Sequence, residues 1–345
     1  MKIISLKILK WVLKKLAQWT ISRYQPEIVG ITGTVGKTST KEAIKTVLEK
    51  YRRIRASSGN FNNEIGLPLA ILGDWQKIGG LFFWLKVFAV SLFRLIFKMP
   101  YPEILILEYA ADRPGDLKYL LSIARPKVGV ITAVGDIPAH VEFYSGPEAV
   151  IREKARLVEQ LSALGFAVLN IDDKAVAGLK EYTRAHLMTF GFSGEADVKI
   201  SNFEIQADSR PFGISFKIEH KGSFVPIRLN GVLGRSQAYG AAAAASVGLI
   251  FGLNLVKIAE AFFDFHSLPG RMNLVDGIKG SYVIDDSYNA SPLSMHSALE
   301  TLKEIKASRK IAVLGDMLEI GKYSLEAHET IGDLAAGIAD ILITV

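Results

Sequence analysis

The chain has 345 residues, 49% hydrophobic and 22% charged, a balance that excludes a disordered polymer and leaves room for two domains. It contains no cysteine, which removes disulfide frameworks, thiolate metal sites and cysteine nucleophiles. Net charge is +6, with much of the excess at the start of the chain, and no nucleic-acid partner is expected.

Residues 1–16 read as a basic amphipathic helix. Leu6, Leu9, Leu13 and Leu16 fall on one stripe, and Lys7, Lys10 and Lys14 on another. Such a helix can lie on an anionic membrane surface or pack on the protein's own core, and periodicity does not choose between them. Lysines scattered through the segment speak against a cleavable secretory signal. Residues 27–32 suit a buried strand. Then come Gly33, Thr34, Val35, Gly36, Lys37 and Thr38, and a helix with Ala43, Ile44, Val47, Leu48 and Tyr51 on one face.

The loop matches Gly-x-x-Gly-Lys-Thr, although Ile31 stands where the longer phosphate-loop pattern has a glycine. A strand before and a helix after is the setting this chemistry needs. Backbone N–H groups turn toward phosphate, and the helix N-terminus adds a favourable field. Lys37 would reach the outer phosphates of ATP and Thr38 would offer its hydroxyl to magnesium, with Ser39 following in the same loop.

Residues 81–97, LFFWLKVFAVSLFRLIF, are apolar but short for a membrane span and carry Lys86 and Arg94. A buried or interfacial helix is expected there. Residues 104–107 and 128–131 are short continuous apolar runs, as in strands buried on both faces. Glu108 ends the first, and His140 lies in the loop after the second, where α/β folds place ligands. On spacing alone each is equally an ordinary loop polar group. A helix over 151–164 and a strand over 166–169 complete an alternation that predicts a doubly wound, mostly parallel sheet. Residues 198–229 change to alternating strands, a small antiparallel addition. The alanine run 241–245 sits in a predicted helix.

A boundary falls near 267–270. After it come a strand at 282–285, a helix capped by Ser291 with Pro292 at its first position, a strand at 311–314, a helix at 325–336 and a strand at 341–345. That order, βαβαβ, reads as the start of a second, Rossmann-like domain, incomplete at its end. By pattern alone, Lys154 is a surface lysine in a charged helix. Residues 285–289 either face a nucleotide or form an Asx-capped turn.

Several segments together resemble the Mur ligase family, and within it the MurF-type branch. They are GITGTVGKTSTKE (30–42), GNFNNEIGLPLAIL (59–72), LEYAADRPGDL (107–117), AHVEF and REKA within 131–157, LPGR (268–271), VIDDSYNASPLSM (283–295) and LGDMLEIG (314–321). The resemblance divides the chain into a basic N-terminal segment (1–27), a central ATP-binding domain (28–268, with an apolar insertion at about 78–99) and a partial C-terminal domain (269–345). It implies that Thr38, Glu108 and His140 hold magnesium. Lys154 falls where the family carries a carbamylated lysine, which would bind a second magnesium ion. Arg271, Asp286 and Asn289 would contact ATP from the second domain, and Asn60, Asn62 and Asn63 would face the muramoyl-peptide.

The implied activity is an ATP-dependent amide ligase of peptidoglycan precursor synthesis. It joins D-alanyl-D-alanine to a UDP-N-acetylmuramoyl-tripeptide through an acyl phosphate, in the cytoplasm. Residues 1–24 and 81–97 add an expected contact with the inner face of the membrane. Departures from the family pattern accompany the match. Fewer than thirty residues precede the loop, so the usual substrate-recognition domain is expected to be missing. Ser236, Gln237 and Gly240 stand where a His-Asn pair and a later Asn are usual. The loop before His140 is longer than the usual form. Two competing readings are a folylpolyglutamate-synthase-like ligase and a catalytically weak, membrane-associated ATP-binding protein.

Overall fold

The computed structural model describes residues 2–59, 61–207 and 211–345, with side chains from residue 6 onward. In chain order the first elements are α1 (Lys2–Tyr24), β1 (Glu27–Thr32), α2 (Lys37–Glu49), β2 (Ile54–Ala56), α3 (Gly66–Leu72), α4 (Leu81–Ile96), β3 (Ile104–Glu108) and α5 (Asp116–Ile123). Next come β4 (Val128–Ile131), α6 (Pro147–Glu159), β5 (Phe166–Asn170), α7 (Lys174–Ala177), β6 (His186–Gly191), β7 (Val198–Gln206), β8 (Gly213–His220), β9 (Ser223–Asn230), α8 (Arg235–Ile250) and α9 (Leu255–Phe262).

These strands form one sheet in the order β2-β3-β1-β4-β5-β6-β7-β8-β9. Pairing is parallel from β2 through β7 and antiparallel from β7 through β9. The expected antiparallel addition therefore continues the main sheet. β1 lies between β3 and β4, so the chain leaves β1 and crosses past β3 before returning. The carboxyl end of β1 is the switch point where a ligand-binding crevice forms.

Each face of the sheet is covered. On one, α2, α8 and α9 pack Ile44, Val47, Leu48 and Ile258 against Ile31, Val130 and Val168. Burying each such aliphatic side chain is worth ~1.5–3 kcal/mol. The five alanines 241–245 are all buried, and their small side chains let α8 lie close to α2. Gly240 faces Ser39 and Thr40, where a Cβ would stand 3.7 Å from the α2 backbone. The other face carries α3, α5 and α6 through Leu67, Leu117, Leu120, Leu157 and Val158.

The second domain contains β10 (Asn273–Asp276), β11 (Tyr282–Asp285), α10 (Pro292–Glu304), β12 (Ile311–Leu314), α11 (Ser324–Ala336) and β13 (Ile341–Thr344). Ser291 caps α10 with a reciprocal capping box to Ser294. The expected continuous parallel βαβαβ sheet is corrected in one respect. β12 pairs β13 in parallel, but β11 pairs antiparallel with β10. The physical reason is proximity in sequence: residues 277–281 turn the chain straight back, which antiparallel pairing requires. The two domains share apolar packing, with Val141 and Val150 meeting Met295, Leu299, Met317, Ile320 and Ile331.

Candidate active site

The loop at 33–36 is held open by backbone geometry. Gly33 and Gly36 have φ of 149° and 86°, values that side chains resist. A Cβ on Gly33 would lie 2.1 Å from Thr132 Oγ1. Thr132 donates to Val35 O at 2.6 Å, and Thr34 N donates to Ala133 O at 2.6 Å. The end of β4 thus braces the loop. Gly36 opens α2 without a side-chain cap, so the first N–H groups of the helix point out of the protein's own hydrogen-bonding scheme. Thr34 Oγ1 is buried and, among the described residues, has no hydrogen-bond partner. A buried hydroxyl without a partner is costly, and a phosphate oxygen would satisfy it.

Two lysines converge on the loop. Lys37 Nζ donates to Gly33 O at 2.8 Å and Thr34 O at 3.2 Å, and Lys154 Nζ donates to Gly33 O at 3.3 Å. Lys154 is 2% exposed, not the surface residue that the charged pattern of its helix suggests. Burial, reinforced by the neighbouring Lys37 charge, pulls its pKa down to about 7. Burial also lowers Lys37, opposed by Glu108 and Asp112. Two lysine side chains beside the uncapped start of α2 make an anion-attracting corner.

Glu108 ends β3, 3% exposed. Thr38 Oγ1 donates to its Oε2 at 3.3 Å and Asn62 Nδ2 to its Oε1 at 3.2 Å. Lys41 Nζ stands 3.6 Å from Oε2, itself 1% exposed, and donates to Gly59 O at 3.1 Å. A hydroxyl beside a carboxylate is a hard-oxygen pair suited to magnesium. Asn63 accepts from Ile65 N and Gly66 N, fixing the start of α3. Asn60 lies outside the described residues.

The resemblance implies His140 as a further magnesium ligand. This residue adopts φ of 67° and sits between two carboxylates, with Nδ1 2.5 Å from Glu319 Oε2 and Nε2 3.3 Å from Asp112 Oδ1. Among the described residues no group of three or more His, Asp or Glu side chains is arranged to hold a metal. The pair Thr38–Glu108 is what the structure brings together.

The second domain closes the site. Arg271 Nη2 donates to Thr38 Oγ1 at 3.4 Å, and its guanidinium lies 3.8 Å from the Tyr288 ring centroid. Gln237 Nε2 donates to Arg271 O at 2.9 Å, so Gln237 positions the linker between domains. A cavity of about 60 Å³ lies between Thr34, Gly36 and Ser39 on one side and Arg271, Asp286 and Asn289 on the other. It has room for a few waters, so a nucleotide enters only if the walls part. Asp286 accepts from Met272 N at 3.1 Å. Its pKa is pushed up to about 6 by burial, against the pull of Met272 N–H and Arg271.

Sequence reasoning missed Lys41, Asp112 and Glu319. The signals were present: Lys41 follows Lys37 by one helical turn, Asp112 trails a strand's carboxyl end as Glu108 does, and Glu319 lies in LGDMLEIG.

Comparison with known proteins identifies the family to which this fold belongs. The Mur ligase middle-domain pattern matches residues 31–77 and 88–248, and the Mur ligase glutamate ligase domain pattern matches 270–345. A UDP-N-acetylmuramoyl-tripeptide–D-alanyl-D-alanine ligase of Mycobacterium leprae is 32% identical over 330 residues, which are 89% of this chain and 59% of that protein. The chain thus spans less than two thirds of that relative's length. The MurF ligase of Thermotoga maritima, solved in complex with ADP, superposes with a TM-score of 0.80 at 29% identity, covering 97% of this chain and 70% of that one. MurF of Acinetobacter baumannii gives 0.81 at 25%, with 97% and 67% covered.

Proposed function

The chain belongs to the Mur ligase family, and from that premise we propose that it is an ATP-dependent, ADP-forming amide ligase joining D-alanyl-D-alanine to a UDP-N-acetylmuramoyl-tripeptide. The observation that carries this reading is the cleft in which Thr34, Gly36 and Ser39 face Arg271, Asp286 and Asn289 across the domain boundary. Phosphates bound by one domain would meet side chains of the other. The reading includes a cytoplasmic setting, where ATP and the UDP-linked precursor are available, next to the inner face of the membrane.

The reaction needs no protein nucleophile. An oxygen of the tripeptide carboxylate attacks the γ-phosphorus of ATP, the bond to the bridging oxygen breaks and ADP leaves. The amine of the dipeptide then attacks the acyl carbon, the carbon–oxygen bond to phosphate breaks, and the nitrogen loses a proton as inorganic phosphate departs. The protein's contribution is position and charge. The open N–H groups of the loop orient the phosphates, and Lys37 swings from the Gly33 and Thr34 carbonyls to the outer phosphate. Arg271 approaches the same group from the opposite wall. Closure of the second domain keeps water from the acyl phosphate.

Thr38 and Glu108 would hold magnesium, which offsets charge on the phosphates. Carbamylation of Lys154 would add an anionic oxygen for a second ion. A pKa of about 7 supports that assignment, because a neutral amine is the form that takes up carbon dioxide. The hydrogen bond of Asn62 to Glu108 supports its assignment to the side from which the peptide carboxylate would approach.

The test is phosphate release from ATP and magnesium with UDP-muramoyl-tripeptide, with and without D-alanyl-D-alanine. Release that requires both substrates supports the proposal, and release with a different amine but not the dipeptide overturns its acceptor.

A further inference from the structure

Two helices stand apart from the ligase site and form one surface. α1 lies outside both family patterns, and residues 78–87, which include the first half of α4, fall in a gap between matched segments. They pack side by side through Leu13, Leu16 and Val87 with Leu69 and Leu72 of α3 beneath. Leu9, Leu13 and Leu16 of the expected stripe are therefore satisfied by the protein's own core, while Leu6 is 44% exposed. Two of the lysines also turn inward: Lys10 pairs with Glu64, and Lys14 lies over the Tyr119 ring at 4.8 Å.

What faces outward is a different set. Ile8, Trp11 and Trp19 of α1 are each more than half exposed, and they recur along one face of the helix at i, i+3 and i+11. On α4, Phe82 is 87% exposed and Ile96 68%, with Leu85, Leu92 and Phe93 between them. An apolar groove of about 230 Å³ joins the helices, between Trp11, Leu16 and Trp19 on one side and Phe88 and Leu92 on the other. Scattered apolar residues are ordinary on a surface, but a contiguous aromatic patch marks a contact.

Charge says with what. Residues 1–24 hold six Lys or Arg and residues 75–100 hold four, and neither segment contains Asp or Glu. With a total of +6, the rest of the chain is net acidic, so the excess positive charge belongs to these two segments. Lys7 and Arg23 on α1, Lys86 on α4, and Lys77 and Lys98 in its flanks are exposed. A protein–protein interface core is depleted of lysine. A lysine rim around Trp, Phe and Leu fits anionic headgroups around an acyl boundary. Among the described residues no helix is long and apolar enough to cross a membrane, so the fit is to lying on the surface.

We propose that α1 and α4 together dock this protein onto the surface of an anionic lipid bilayer, with Trp11, Trp19, Phe82 and Phe93 at the headgroup–acyl boundary. This sharpens the membrane-adjacent setting given above, yet it does not depend on ligase activity. Vesicle binding requires no turnover, and ATP hydrolysis requires no vesicle, so either can fail alone.

The experiment is co-sedimentation of the 345-residue chain with vesicles of phosphatidylcholine alone or mixed with phosphatidylglycerol, followed also by tryptophan emission. Binding is expected to the mixed vesicles, at least about tenfold stronger than to neutral ones, with a blue shift in emission. The Phe82→Glu/Phe93→Glu variant is expected to lose at least about tenfold in binding while keeping the wild-type melting temperature. The Lys7→Glu/Lys86→Glu variant should lose the preference for phosphatidylglycerol. Absence of binding to mixed vesicles overturns the proposal. So does a dimer in sedimentation velocity that Phe82→Glu/Phe93→Glu disrupts without any vesicle binding by the wild type, since the patch would then face a second copy.

Discussion

Replacing Lys41 with methionine removes the buried cation beside Glu108 and keeps most of the side-chain volume. Lys41 Nζ stands 3.6 Å from Glu108 Oε2, and both residues are nearly inaccessible. Removing one partner of a buried pair costs ~3–5 kcal/mol, because the other charge is left uncompensated. Here Thr38 and Asn62 continue to donate to the carboxylate, which places the expected cost near the lower end, ~3 kcal/mol. At ~2–4 °C per kcal/mol for a domain of this size, the melting temperature should fall by about 6–12 °C.

Glu108→Gln in the same background removes the stranded charge. The double variant should then recover at least ~1 kcal/mol relative to Lys41→Met. Magnesium with ATP should raise the melting temperature of Lys41→Met more than that of the wild type, since a bound cation replaces the lost one. The assay is thermal melting by circular dichroism of the four proteins, with and without magnesium and ATP. A Lys41→Met protein that melts within about 1 °C of wild type would refute the reasoning. So would a double variant whose losses simply add.

Other expectations follow from the same geometry. Lys154→Ala should lower phosphate release by at least about a hundredfold, the loss typical of one preorganised charged group, and short carboxylic acids should restore part of it; near-normal turnover removes the carbamate from the account. The folded pKa of Lys154 lies near 7 and the unfolded one near 10.5. The unfolded chain therefore binds more protons between those values, and in carbon-dioxide-free buffer the wild type should gain stability on Lys154→Met as pH rises from 7 toward 10. A melting difference that stays constant with pH contradicts the burial of a neutral amine. Gly33→Ala should abolish nucleotide binding by equilibrium dialysis, because its Cβ would collide with Thr132 Oγ1 at 2.1 Å; retained affinity would show that the loop tolerates a shift. Arg271→Ala should weaken ATP binding by about tenfold, the worth of one charge-assisted hydrogen bond, and leave the melting temperature within about 2 °C; an unchanged affinity would remove Arg271 from the nucleotide wall.

Much of this was legible in the residues. The phosphate loop could be read because glycine spacing and strand–helix context are local, and the parallel strands because burial on both faces leaves an unbroken apolar run. Ser291 and Pro292 announced the start of α10 for the same local reason. Lys154 could not be read from its neighbours. Its helix is charged on the outer face, and only the tertiary fold turns this lysine toward Gly33 O. The pairing of β11 was misjudged because alternation of elements says nothing of which strand lies beside which. The inward turn of Lys10 and Lys14 depended on Glu64 and Tyr119, which periodicity within α1 cannot supply.

The most direct test of the central claim is the coupling between the two domains' contributions to ATP chemistry, read as phosphate release with both substrates present. The account predicts release that needs UDP-muramoyl-tripeptide and D-alanyl-D-alanine together, and that falls at least about tenfold in Lys37→Ala and in Arg271→Ala alike. Equal release without either substrate, or full release in both variants, would contradict it.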